Sequence, residues 1–107
     1  MSTHRITPNS AVEKVVSIAR GHASNNGDTA LASKAMEGRR VVTWLQDLPH
    51  GERGSVQAAM DEVRHAQETG NAESAQQAAE KLDAAVDDAV RAMAKQEFQR
   101  LVKRMAV

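Results

Sequence analysis

The chain has 107 residues, a single-domain length, with 14 basic side chains, 14 acidic ones and no cysteine. Balanced charge leaves no global field to draw the chain to nucleic acid or an anionic membrane, and the missing cysteines exclude disulfides and thiolate chemistry. With one Trp, one Phe, no Tyr and much Ala, helix formers dominate and strand formers are scarce, so the expected class is all-α: a small bundle of about four helices with a long C-terminal one.

Residues 1–9 read as a flexible N-terminal arm, and 10–107 as one helical-bundle domain. Met1 to Ile6 are polar and basic with no apolar stretch behind them, so no secretory leader is expected. No apolar run approaches the roughly 20 residues of a membrane span, so the expectation is a cytoplasmic protein with no membrane partner.

Ser10-Ala11-Val12-Glu13 has capping-box spacing and predicts a first helix over 10–23, with Val12, Val15, Ile18 and Ala19 to one side. Gly21 and Ser24-Asn25-Asn26-Gly27 end it. Asp28 or Thr29 then caps a second helix over 29–48, whose stripe carries Leu31, Ala35, Gly38, Val41, Val42, Leu45 and Leu48. Gly38 inside that stripe marks a close crossing or a break, and Pro49 stops the element. A third helix, 52–69, presents Val56, Ala59, Met60, Val63 and Ala66. Gly70 is its left-handed stop and Asn71 the cap of the next helix.

The last segment, 71–105, contains no Gly or Pro. At about 100° per residue, Ala75, Ala79, Leu82, Val86, Ala89, Val90 and Met93 share one face. Beyond it Ala94, Phe98, Leu101, Val102 and Met105 form a second cluster, rotated by about 120°. One straight helix cannot bury both against the same neighbour. The expectation is a bend or break near Lys95, or a separate partner for the helix end, within the fold or in another molecule.

Catalytic and metal motifs fail on spacing. Glu62-Val63-Arg64-His65 has the Glu-x-x-His spacing of di-iron bundles, but that site needs two copies and two further carboxylates, and here Glu62 and His65 fall off the buried face. His4, His22, His50 and His65 make no metal-ligand pattern; His22, near a helix end, reads as a packing or capping group. Asp83, Asp87 and Arg91 at i, i+4 and i+8 read as a surface ladder with an Asp87–Arg91 pair. There is no phosphate-cradling glycine run and no nucleophile elbow. A helix-turn-helix over 29–48 is a poor match, because Met36 stands where the turn glycine belongs. No metal, cofactor or enzymatic activity is expected.

The function expected is therefore a non-enzymatic protein–protein interaction module: an adaptor, an assembly or secretion chaperone, or an inhibitor of another macromolecule. An Ala-rich core buries little area per residue, which favours extra burial against a partner. Phe98, Leu101, Val102 and Met105 are the candidate contact, with Trp44 second as an aromatic at a stripe edge. Self-association into a homodimer is the preferred form. The alternative is nucleic-acid binding through Arg39, Arg40, Arg100, Lys103 and Arg104, which the helix dipole also explains at a C-terminus.

Overall fold

A computed structural model of the chain describes residues 6–31 and 33–106, which form four α-helices and no strand. These are α1 Pro8–Asn25, α2 Lys34–Asp47, α3 His50–Thr69 and α4 Ala72–Met105. The chain is an all-α bundle with a long C-terminal helix.

Helix α1 starts before the Ser10 cap read from the sequence. Thr7 Oγ1 accepts the Ser10 N–H at 3.0 Å, and Ser10 Oγ accepts the Thr7 N–H at 2.9 Å. The box is thus Thr7-to-Ser10, with Pro8 at the first helical position, where its fixed φ and missing donor cost nothing. The arm ends correspondingly early: Ile6 already packs against the core, and Met1 to Arg5 lie outside the described residues. Ala11, Val15 and Ala19 are buried, Ile18 partly, and Val12 faces outward.

Helix α2 departs most from expectation. It starts at Lys34, capped by Ser33, whose hydroxyl accepts the Met36 N–H at 3.3 Å. Asp28 is no cap. It accepts Arg40 Nε and Nη2 at 3.0 Å each, and Arg40 Nη2 also donates to the Ala30 carbonyl at 2.9 Å. That clasp holds the 28–31 connection out of the helix and leaves Leu31 95% exposed. The buried face is Arg40, Trp44, Leu45 and Leu48, with Val41 alongside, while Val42 faces solvent. The stripe is rotated by about a quarter turn from the expected one. Gly38 marks neither a crossing nor a break: the helix runs through it, and a Cβ there would meet nothing within 4 Å.

Helices α3 and α4 keep their expected faces with two corrections: α3 starts at His50, two residues earlier than expected, and Val90, expected on the shared face of α4, is 40% exposed. Val56, Ala59, Val63 and Ala66 are buried, with Met60 partly so. Gly70, at φ +73°, donates to the Ala66 and Gln67 carbonyls and ends α3. Asn71 accepts the Ser74 N–H at 3.1 Å and opens α4. Ala75, Ala78, Ala79, Leu82, Val86 and Ala89 form its buried face.

The α3–α4 hairpin is the main packing unit, and α1 lies along the other side of α4. The long helix is packed chiefly by α3 and α1, while α2 rests on α1 and only lightly on α3. Eight of the sixteen buried apolar residues are alanine, so Trp44, Leu45, Leu48, Leu82, Val15, Val56, Val63 and Val86 supply the large buried side chains.

Candidate functional site

Helix α4 outlasts its own core. Ala89 is its last buried residue and Met93 is partly buried, yet the helix continues unbroken to Met105. Of the two outcomes the spacing allowed, a break near Lys95 is absent. The second apolar cluster also finds no neighbour inside the fold: Phe98 is 66% and Met105 84% exposed, with Leu101 and Val102 about half exposed. Strong helix formers (Ala94, Lys95, Gln96, Glu97, Gln99, Arg100) propagate the helix from an already nucleated stretch. Lys103 and Arg104 in the last turn suit the negative end of its dipole. What remains is a projecting rod with an apolar stripe on one side and Arg100 and Lys103 on the other.

Two of the sequence candidates do not join this surface. Trp44 is 1% exposed and sits in the core, so it is no contact residue. Arg40 is 6% exposed, and both oxygens of Asp28 occupy its guanidinium, so it has no free face for phosphate. Arg39 is exposed on α2, a different helix from Arg100, Lys103 and Arg104.

The polar contacts between elements are structural clamps. Lys14 Nζ donates to Asp83 Oδ1 at 2.8 Å and Asp87 Oδ1 at 2.6 Å, tying α1 to α4. Chiefly the Asp83 and then the Asp87 hydrogen bond raise the Lys14 ammonium above its ordinary pKa, against a downward push from burial. Asp87 is therefore not the partner of Arg91, which pairs with Asp88. Sequence reading missed Lys14; the signal was a lysine on the flank of the α1 stripe with carboxylates four apart on another helix. Arg40 holds the Asp28 carboxyl below the usual range, with help from the Ala30 N–H. His22 Nε2 lies 2.8 Å from Asp47 Oδ2 and links the ends of α1 and α2. Glu62 faces Lys81 at 3.5 Å across the hairpin.

Among the described residues no three His, Asp or Glu side chains gather as a metal site, and no helix is long and apolar enough to cross a membrane. An open cleft of about 320 Å³ between α1 and α2 is lined by His22, Met36, Arg39, Arg40 and Thr43. Within it Arg40 faces Asp28 and His22 faces Asp47. Comparison of the chain with protein-family models, with curated proteins and with solved structures finds no match in any of the three.

Proposed function

We propose that this chain is a non-enzymatic interaction module that binds another protein through the free C-terminal end of α4. The observation that carries the reading is the exposed stripe of Phe98, Leu101, Val102 and Met105 on a helix that has left its own core. A contiguous apolar stripe on a projecting helix is the form in which helices enter grooves or pair with other helices, with anchors at i, i+3, i+4 and i+7. The bundle behind it acts as a rigid handle, clamped by Lys14 to Asp83 and Asp87 and by Arg40 to Asp28. An adaptor, an assembly or secretion chaperone, and an inhibitor all use such an arrangement.

The test is capture from the native host with two baits, the wild-type chain and the double variant Phe98→Asp/Leu101→Asp. Both residues are exposed, so the variant keeps its fold. The reading predicts a bound protein that the variant loses by tenfold or more, about 1.4 kcal/mol or above. Identical capture by both baits contradicts it. Nucleic-acid binding through Arg39, Arg100, Lys103 and Arg104 predicts instead retardation of DNA or RNA that weakens steeply with salt and is insensitive to the uncharged change Leu101→Ser.

A further inference from the structure

An apolar stripe needs an apolar cover, and the described surface has little else to provide one. Val12, Leu31 and Val42 are exposed singly on α1, the α1–α2 connection and α2, and Val90 lies one turn before Ala94 on α4. The tail is the one contiguous strip among the described residues: Ala94, Phe98, Leu101 and Met105 recur at alternating spacings of four and three, with Val102 beside Leu101. That alternation is the seam of a two-helix coil. We propose that the tail of α4 docks antiparallel on the tail of a second copy of this chain. This deepens the reading of the tail as the docking element and rests on it.

The direction follows from what lies upstream. Leu101 and Met105 come 18 residues, about five whole turns, after Asp83 and Asp87, so all four share one side of α4. On that side α1 is held by Lys14 against Asp83 and Asp87. A parallel neighbour continuing up the stripe collides with α1. An antiparallel neighbour leaves the two bundles at opposite ends of an overlap of about 18 Å, the length of the free tail.

The register follows from the flanks. With Phe98 level with the partner's Leu101, Ala94 comes level with the partner's Met105, and the two-fold axis repeats both contacts. One flank then sets Glu97, the tail's single acidic residue, against the partner's Arg104, twice by symmetry. The other flank lays the Lys95 stem over the partner's Val102. Arg100 and Lys103 point away from the seam, which keeps most of the tail's excess positive charge on the outside. Three turns of overlap bury less than the roughly 1,000 Å² of a stable interface, so the pair forms and dissociates with concentration.

Sedimentation velocity of the full chain over a concentration series, at about 0.15 M salt, is the test. The average mass is expected to climb from 11.6 kDa toward twice that value. Leu101→Asp, at an exposed site, should hold it at the monomer. Glu97→Arg and Arg104→Glu should each weaken association by about tenfold, because each turns two opposite-charge contacts into like-charge ones. Combined, E97R/R104E should return it to within about threefold of wild type. A monomer at every concentration up to about 1 mM overturns the second-copy assignment, while the bait comparison with Phe98→Asp/Leu101→Asp decides separately whether the tail binds a different protein. Self-association that the double reversal fails to rescue overturns the antiparallel register.

Discussion

A tryptophan buries roughly 150–250 Å² on folding, and the buried face of α2 is the one that carries Trp44. Placing Trp44 in the core carries Arg40 in with it, and the guanidinium needs the carboxylate that Asp28 supplies. Trp44→Ala should cost about 3–5 kcal/mol in urea unfolding, the range for a large buried aromatic. The Asp28–Arg40 clasp has a pH signature. Because Arg40 lowers the folded-state pKa of Asp28, its contribution is fully present above the unfolded value of about 3.9 and is lost as pH falls through the lower folded one. The stability gap between wild type and Asp28→Asn should therefore be constant near neutrality and close in acid. Lys14 behaves in the opposite sense: its raised pKa keeps the α1–α4 clamp intact at neutral pH, and the contribution is lost as pH rises through that value. A urea-midpoint titration of Lys14→Met against wild type should show the gap closing only in strong alkali.

Helix boundaries that depend on a local backbone rule were legible, and those that depend on a distant partner were not. Gly70 and Asn71 stop and restart the chain by their own conformational preferences, and they do so where the sequence places them. Thr29 looked like an equally good cap, but the distant Arg40 takes Asp28 and pulls the connection away from helix. The face of α3 was readable because its apolar residues repeat without competition. The face of α2 was not, because Leu31, Val42 and Gly38 made a plausible stripe that a single Trp at its edge outweighed. Gly38 now stands exposed in mid-helix with open space around it, so Gly38→Ala should raise stability by up to about 1 kcal/mol. In α4 the slip of the apolar pattern after Met93 was visible from spacing alone, whereas its outcome, an unbroken helix instead of a kink, required knowing that no other element reaches that far.

Over the whole molecule α4 sets the shape. Its 34 residues at 1.5 Å each make a rod of about 51 Å, against a longest dimension of 54 Å. The zero net charge hides a separation along that rod. Lys95, Arg100, Lys103 and Arg104 against Glu97 give the tail three excess positive charges, and the rest of the chain holds three excess negative ones. The bundle and its tail are thus two different surfaces, one acidic and closed, the other basic and apolar. Phe98→Asp or Leu101→Asp should leave the unfolding midpoint of the isolated chain within about 0.5 kcal/mol of wild type, because neither residue belongs to the core. A docking tail exists only if the helix persists where the core has ended. Carbon-13 Cα chemical shifts along α4 test that most directly: helical values continuous from Ala72 to Met105 are predicted, and coil values beginning at Lys95 would contradict it.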